Sequence, residues 1–398
     1  MEYKKVVYII SPRSAFPSKP GRKISEIIKC WGNKYSVSAF FGGQLIKGAQ
    51  PQSYGNVGTH KQSYRKNFFL SPLVHTVSEV KDFIHCIKSY IYLRKKHNGD
   101  NISLVWERSS RFHFAGFLLA RDHDVPYVLE WKDHLVDYNI SLFKPLALYV
   151  EHLKCKWATS IVVESLVIKK ALVAIGYEES KIIVAYNAVN YEEFSLTTPE
   201  YETSPESQND GKIKLAYLGS YAFYHDAERL VYAAKLLLDK GFENKLVIYM
   251  VGDGKERQHC KEISEKLGIP KDFLEFVDPI LPQEVASFLA KIDISVLPGS
   301  TDIIAPIKVL EYMAAGTATI VPNHECNREI ITDLENGILF SAKCEKDLAD
   351  KIQYLVENES EIERISFNAS NTANRNFSWE NTWLKALDEV LVDNEYSY

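Results

Sequence analysis

Lys308 and Glu311 are the two residues whose types and spacing most directly suggest chemistry. They lie in residues 305–316, APIKVLEYMAAG, where Pro306 suits the first turn of a helix and Gly316 suits the position just past its end. A short helix beginning at Pro306 would offer free backbone N–H groups and a positive dipole end, to which Lys308 adds a cation. This arrangement can bind a diphosphate, and Glu311, one turn later, can accept hydrogen bonds from a ribose diol. The alternative is a pair of solvated helix charges three residues apart.

A second candidate is a glycine turn after a buried strand. Residues 246–253 read LVIYMVGD, so Gly252 and Asp253 directly follow an apolar run. At such a turn an α/β sheet lets a ligand approach its backbone. Arg257 takes the third glycine position of the dinucleotide fingerprint, which disfavours NAD and FAD. A purely structural turn is the open alternative.

The first half of the chain offers further ligand-binding candidates. Gly21 and Arg22 open a helix after the first strand, where a glycine and a cation can approach a phosphate or a second substrate. Arg108, Glu130 and Lys132 lie at the ends of two later strands. Side chains at the carboxyl ends of an open α/β sheet face its ligand crevice. A solvated helix start is the alternative for Gly21 and Arg22.

Two series of short apolar strands alternate with longer helix-patterned segments and must position these candidates. The strands are predicted at residues 6–11, 36–41, 102–106, 126–131, 161–164 and 182–186, and again at residues 214–218, 246–251, 274–277, 294–297, 319–321 and 337–340. Near-continuous apolar strands between helices predict the α/β class with two doubly wound parallel sheets. We predict domains over residues 1–195 and 212–377, a polar linker over 196–211 and a closing helix over 378–398.

Composition and charge narrow the class of protein. The chain has 398 residues, 46% of them hydrophobic and 25% charged, and no apolar run is long enough to span a membrane. Its six cysteines form no C-x-x-C pair, so we expect neither a zinc site nor a disulfide framework. The start lacks a signal-peptide core, which makes the cytoplasm the expected compartment. Residues 1–190 carry a charge of +12 and residues 191–398 a charge of −17. A basic surface on the first half could therefore face phosphate or an anionic membrane, or be merely solvated.

Several ordered motifs, mainly over residues 160–392, resemble those of family-4 retaining glycosyltransferases of GT-B fold, the glycosyl transferases group 1. The motifs are IVVES at 161–165, KIIVAYNAVNYEEF at 181–194, YLG at 217–219, VGDGKE at 251–256, FVD at 276–278, IDISVLP at 292–298 and PIKVLEYMAAG at 306–316. The resemblance implies two Rossmann-like domains facing across a cleft, with a C-terminal helix returning to the N-terminal domain. It also implies transfer of a sugar, with retention of configuration, from a nucleotide-sugar donor to an acceptor in polysaccharide or glycoconjugate biosynthesis.

The resemblance also assigns roles to residues. Glu311 is expected to bind the donor ribose, and we place Lys308 on the donor phosphates. The expected donor-binding residues are Gly219, His225, Gly252, Asp253, Val277, Ile303, Ile304, Ala305, Pro306 and Ile307. Gly21, Arg22, Arg108, Glu130 and Lys132 become candidates on the acceptor side. Because no D-x-D pair stands at a matching position, we expect no metal; we also expect no cofactor and no nucleic-acid partner.

Departures from the family pattern leave other functions open. Ile303 replaces the first glutamate of the E-x7-E motif, and Ser220 and His225 stand where members often carry Arg and Lys. Lys308, or His225 if protonated, can replace one missing cation. The alternatives to a glycosyltransferase are a non-catalytic GT-B protein that binds a partner glycosyltransferase and, as a weaker candidate, a nucleotide-sugar epimerase.

Residues 83–96, FIHCIKSYIYLRKK, combine apolar and aromatic residues with a basic end, as peripheral membrane helices do. A core-packed helix with a basic end is the favoured alternative. The membrane interpretation predicts peripheral contact with an anionic membrane, a location at its inner face and a lipid-linked acceptor; otherwise the acceptor is a glycan.

Overall fold

The computed structural model describes residues 3–11, 21–41, 44–46, 71–131, 143–195 and 211–393. Lys132 and residues 196–210 of the predicted linker lie outside these ranges. The chain forms two compact units. The N-terminal unit comprises Met1–Glu164, Ile168–Ala185 and Trp383–Tyr398, and the C-terminal unit comprises Ser165–Val167 and Tyr186–Thr382.

The N-terminal unit is built on a seven-stranded sheet. Its strands are β1 (Lys5–Ile10), β2 (Ser36–Phe41), β3 (Gln44–Ile46), β4 (Leu104–Arg108), β5 (Tyr127–Glu130), β6 (Ser160–Val163) and β7 (Ile182–Val184), in the order β3-β2-β1-β4-β5-β6-β7. Neighbours are parallel except β2 and β3, which pair in antiparallel fashion. The six predicted strands are present within two residues of their predicted ends. The additional strand, β3, has only three residues and therefore no alternation to detect.

In the part of the chain that the structure describes, five helices connect these strands. They are α1 (Arg22–Gly32), α2 (Ser71–Lys96), α3 (Ala115–His123), α4 (Lys144–Trp157) and α5 (Leu166–Ala174). In α1, Ile24, Ile27, Ile28 and Trp31 recur at helical spacing, and all four side chains are buried.

The C-terminal unit contains a six-stranded, fully parallel sheet. Its strands are β8 (Ile213–Leu218), β9 (Leu246–Val251), β10 (Leu274–Val277), β11 (Ile294–Val296), β12 (Ala318–Pro322) and β13 (Ile338–Phe340), in the order β10-β9-β8-β11-β12-β13. Its helices are α6 (Tyr191–Ser195), α7 (Ala227–Asp239), α8 (Arg257–Lys266), α9 (Val285–Leu289), α10 (Ile307–Ala314), α11 (Glu325–Arg328), α12 (Glu345–Glu357) and α13 (Glu359–Asn376). All six strands predicted for this half are present.

The chain closes with a helical segment that belongs to the N-terminal unit from Trp383 onward. A π-helical turn over Glu380–Leu384 leads into α14 (Lys385–Asp393). Trp31 Nε1 donates a hydrogen bond to the Trp383 carbonyl at 3.0 Å, and the Tyr35 hydroxyl donates to Asp388 at 2.6 Å. The expected return of the last helix to the first domain is confirmed.

Candidate functional site

The carboxyl ends of β8 and β11 form the switch point of the C-terminal sheet. From β8 the chain runs through α7 to β9 on one side, and from β11 it runs through α10 to β12 on the other. Open α/β sheets bind ligands in the crevice that such a reversal creates. The segment after β8 contains Gly219 and His225, and the segment after β11 leads to Lys308.

Three side chains of this crevice form a hydrogen-bonded chain. Lys308 Nζ donates to His225 Nε2 at 3.3 Å, and His225 Nδ1 lies 3.1 Å from the Tyr217 hydroxyl. Since Nε2 accepts from an ammonium, the ring proton belongs on Nδ1, which donates to the hydroxyl oxygen of Tyr217. The Lys308 ammonium also lies 5.5 Å from the centre of the Tyr217 ring. Lys308 and His225, both expected at the donor site, are therefore in direct contact.

The two basic groups of this chain have different charge states. Burial lowers the pKa of His225 to about 4, and the neighbouring Lys308 acts in the same direction. Burial lowers the pKa of Lys308 to about 8, an effect that Glu311 opposes. In the ligand-free protein at neutral pH, His225 is therefore neutral and Lys308 is mostly charged. The suggestion that a protonated His225 replaces a missing cation is wrong for this state; the ring orients Lys308 instead.

Tyr312 fixes the position of α10 against the end of β8. Its hydroxyl accepts a hydrogen bond from the Leu218 N–H at 3.0 Å and lies 3.1 Å from the Leu218 carbonyl, to which it donates. Tyr312 is 1% exposed. Because Lys308 lies one turn earlier on α10, this contact holds it beside the residues that follow β8. Sequence analysis missed Tyr312, whose only signal is its place next to Glu311.

The loop before α10 is held through its carbonyl groups. Ser165 Oγ donates to the Ile303 carbonyl at 2.6 Å, and Asn187 Nδ2 donates to the Ala305 carbonyl at 2.9 Å. Pro306 has extended dihedrals and caps the helix, which begins at Ile307 and not at Pro306. The sequence motifs containing Ser165 and Asn187 gave no indication of these contacts. Through these two hydrogen bonds, Ser165 and Asn187 fix the loop that is expected to contact a donor sugar.

The glycines after β8 and β9 allow two backbone segments to approach closely. A Cβ on Gly252, where φ is +123°, would lie 2.0 Å from the Gly219 carbonyl oxygen, and a Cβ on Gly219 would lie 2.2 Å from the Tyr217 hydroxyl. Gly252 N–H donates to the Val277 carbonyl at 3.2 Å, and Asp253 is exposed. The structural role left open for this turn is thus present, and it brings Gly219, Gly252 and Val277 together.

A cavity of about 340 Å³ adjoins this crevice within the C-terminal unit. It is lined by residues at or after the carboxyl ends of β8, β11, β12 and β13: Phe223, Tyr224, Asp226, Arg229, Pro298, Gly299, Ser300, Pro322, His324, Ala342 and Lys343. Gly299 packs so tightly that a Cβ there would lie 2.6 Å from Asp226 Cβ. Sequence analysis predicted none of this lining.

Comparison with known families identifies the part of the chain that carries this crevice. Residues 201–372 match the family model described as glycosyl transferases group 1. The chain is thus similar to group 1 glycosyl transferases over residues 201–372, which we refer to as the group 1 domain. All the donor-side candidates, from Gly219 to Glu311, lie within this group 1 domain.

Two relatives extend the comparison beyond the group 1 domain. One relative is the N,N'-diacetylbacillosaminyl-diphospho-undecaprenol alpha-1,3-N-acetylgalactosaminyltransferase of Campylobacter jejuni. The chain is 24% identical to it, over 72% of this chain and 76% of the relative. It is 25% identical, over 80% of its length and 84% of the relative's, to a glycosyltransferase of Methanocaldococcus jannaschii.

Solved structures show that the whole chain shares one fold with known proteins. HepE from Anabaena in complex with UDP superposes with a TM-score of 0.67 at 15% identity, covering 98% of this chain and 100% of HepE. Sucrose-phosphate synthase from Thermosynechococcus elongatus gives 0.67 at 15% identity, covering 99% and 100%. The expected α/β fold of GT-B type, with two doubly wound sheets, is confirmed.

The acceptor-side candidates lie outside the group 1 domain, and two of them bind each other. Arg108 Nη1 lies 2.7 Å from Glu130 Oε1, but it is not directed at that oxygen as a hydrogen bond would require, so the contact is an ion pair. Glu130 Oε2 accepts from the Tyr8 hydroxyl at 2.7 Å and from Trp106 Nε1 at 3.2 Å. Burial lowers the pKa of Arg108, but Glu130, Tyr8 and Glu164 together outweigh burial and leave that pKa above its ordinary value. This buried pair lies at the switch point between β1 and β4.

The remaining acceptor-side candidates open α1 or lie outside the described residues. Gly21 caps α1 with extended dihedrals and Arg22 is its first residue. The next residue, Lys23, forms an ion pair with Glu164 at 2.8 Å. Burial lowers the pKa of Lys23, and Glu164 partly opposes this. Lys132 is not described.

Proposed function

We propose that this protein is a retaining glycosyltransferase that moves a sugar from a nucleoside diphosphate sugar to a glycan or lipid-linked acceptor without a metal ion. The observation that carries the proposal is the position of Lys308. It lies in the first turn of α10, at the switch point of a group 1 domain, with its ammonium oriented by His225.

The chemistry expected at this position is stabilisation of a departing diphosphate. Free N–H groups in the first turn of α10 and the Lys308 cation both favour negative charge. Partial burial strengthens their attraction for that charge because nearby water is scarce. Glu311, one turn later, is suited to the ribose hydroxyls. The leaving phosphate can take the acceptor proton, so retaining transfer at this site requires no separate strong base.

The replacement of a motif glutamate by Ile303 changes how the donor sugar is bound. Without that carboxylate, contacts to the sugar fall to the backbone of Ile303–Pro306. The hydrogen bonds from Ser165 and Asn187 fix the orientation of two carbonyls of this loop. We therefore assign to Ser165 and Asn187 the role of positioning the loop, and to the loop the contacts with the donor sugar.

For the acceptor we infer a lipid-linked saccharide of polysaccharide or glycoconjugate biosynthesis, used at the cytoplasmic face of a membrane. The support is the relative from Campylobacter jejuni, whose name specifies a diphospho-undecaprenol substrate, together with the basic charge of residues 1–190. Within the described residues, no helix is long and apolar enough to cross a membrane.

The direct test is transfer by the purified chain. UDP-, GDP- and dTDP-sugars would be incubated with polyprenyl diphosphate saccharides, and the anomeric configuration of the product read by NMR. We expect transfer with retention from one donor, and loss of at least a hundredfold in kcat/KM for Lys308→Ala and Glu311→Ala. Lys235→Ala, which removes a partly exposed lysine paired with Asp239 on α7, serves as the matched control.

Two outcomes would replace the proposal. Stimulation of a partner glycosyltransferase by a chain that itself transfers nothing would establish the non-catalytic alternative suggested by Ile303 and Ser220. Interconversion of free nucleotide sugars in the absence of acceptor would establish an epimerase.

A further inference from the structure

Helix α2 presents its apolar side to solvent. The residues it buries are mostly small or polar: Glu79, Cys86, Ser89 and Leu93. On the opposite side, Val77, Val80, Ile84, Ile87 and Ile91 are between 37% and 61% exposed. A surface helix of a water-soluble unit normally has the reverse arrangement, with its apolar stripe against the core.

These five residues form one continuous stripe. Their spacing alternates between three and four residues, which places them on a single line along the helix. Phe83, 47% exposed, widens the stripe at its middle. The favoured sequence-based interpretation of residues 83–96, a core-packed helix, is therefore wrong for Phe83, Ile84, Ile87 and Ile91. Apolar surface that is contiguous in this way marks an interaction site.

A row of lysines borders the stripe. Lys81, Lys88 and Lys95 recur every seven residues, and all three are exposed. None of them forms an ion pair or hydrogen bond with any residue that the structure describes. The two acidic residues of α2 point elsewhere: Glu79 is buried and pairs with Arg111 at 3.3 Å, and Asp82 is half-buried. The exposed side of α2 therefore carries an apolar stripe bordered by lysines and no carboxylate of α2 itself.

The lysine row decides which partner fits. If α2 of a second copy of the chain covered the stripe, seven-residue spacing would place each lysine row beside apolar side chains or beside the other lysine row, with no exposed carboxylate of α2 to pair with it. An anionic bilayer matches both features, because its headgroups attract lysines and its acyl region accepts isoleucine and valine. We propose that this face of α2 docks in the plane of an anionic phospholipid membrane.

This inference goes beyond the proposed function and does not depend on it. Membrane docking requires only α2 and can be measured without any sugar donor. If the proposed function also holds, docking brings the N-terminal unit to the bilayer in which a lipid-linked acceptor resides.

The test is co-sedimentation of the full chain with vesicles of phosphatidylcholine containing one-third phosphatidylglycerol, compared with pure phosphatidylcholine vesicles. We expect binding to the anionic vesicles that weakens as salt is raised. Lys81→Glu, Lys88→Glu and Lys95→Glu together should weaken binding at least about a hundredfold, since each lysine near such a surface contributes roughly fivefold and each new carboxylate is repelled. Ile84→Gln with Ile87→Gln should weaken it at least tenfold through lost apolar contact.

Ile175→Gln is the matched control, since this isoleucine of the N-terminal unit is 67% exposed but lies outside α2. It should bind vesicles like the parent chain, and all variants should keep the parent melting temperature because the changed side chains are exposed. Equal binding by the parent and both α2 variants would overturn the proposal. The proposal would also be overturned if light scattering detected a dimer that the Ile84→Gln, Ile87→Gln variant converts to a monomer, and if neither the parent chain nor this variant bound vesicles.

Discussion

Lys308 on α10 and His225 after β8 are joined by a 3.3 Å hydrogen bond between Nζ and Nε2. The bond connects the two strand ends that form the switch point, and His225 is itself held by Tyr217. Lys308 supplies the positive charge, and His225 orients the ammonium group that carries it. This division of roles differs from the expectation that both could supply cations.

Replacing His225 tests its role in orienting Lys308. In His225→Ala the Lys308 ammonium loses its acceptor, so we expect the affinity for a nucleoside diphosphate to fall about tenfold, as for loss of a hydrogen bond to a charged group. Isothermal titration calorimetry would measure the change. His259→Ala, which removes an exposed histidine of the same unit, should leave affinity unchanged. An unaltered affinity in His225→Ala would contradict the orienting role.

Diphosphate affinity should depend on pH through Lys308. Its pKa in the ligand-free protein is about 8, so the amine loses its charge above that pH and binding weakens up to about tenfold per pH unit. The range from pH 7.5 to 9.5 is suitable because phosphate groups are already ionised there. Lys308→Arg keeps its charge throughout and should give a flat profile. The same slope in both proteins would show that another group is responsible.

Lys308 should also oppose folding at neutral pH. Its pKa is lowered from the ordinary 10.5, so the unfolded chain binds the proton more tightly and stability rises with pH between about 8 and 10.5. Lys308→Met removes this cost while keeping a long apolar side chain. After discounting for partial exposure, we expect about 1–2 kcal/mol of added stability at pH 7, with diphosphate binding lost. A lower urea midpoint than the parent would contradict this sign.

Sequence patterns were sufficient for every strand of the described residues except β3, and for the helix carrying Lys308. Runs such as residues 246–251 are apolar because both faces of the sheet are covered, and Pro306 and Gly316 delimit α10 by local backbone preferences. Such patterns depend only on residues near one another in the sequence, so they can be recognised without knowledge of the tertiary structure.

Contacts between distant segments could not be predicted in this way. Tyr312 contacts Leu218, and Ser165 contacts Ile303. Each pair is far apart in the sequence, so no periodic pattern marks the contact. The prediction for residues 83–96 of α2 was wrong for another reason. An apolar stripe shows that a face is hydrophobic, but not whether the protein itself covers that face. Ile84 and Ile91 are therefore exposed despite a pattern typical of a core helix.

The approach of Gly252 to Gly219 should make Gly252 intolerant of a side chain. In Gly252→Ala the new Cβ meets a carbonyl oxygen at 2.0 Å in a backbone conformation that favours glycine. We expect a loss of roughly 2–4 kcal/mol from the C-terminal unit. Gly268→Ala is the control, since Gly268 also has a positive φ but nothing lies within 4 Å of its new Cβ, and it should cost about 1 kcal/mol. Equal urea midpoints for the two variants would show that the close approach has no energetic consequence.

The Arg108–Glu130 pair offers a test that separates a structural role from acceptor binding. Glu130 is fully buried, so Arg108→Met leaves an uncompensated carboxylate and should cost roughly 3–5 kcal/mol. Adding Glu130→Gln removes that charge while keeping an acceptor for Tyr8 and Trp106, and should restore most of the loss. If the pair is only structural, the double variant should also regain the parent KM for acceptor. Restored stability with a KM for acceptor still raised tenfold or more, and unchanged diphosphate affinity, would place Arg108 in the acceptor site.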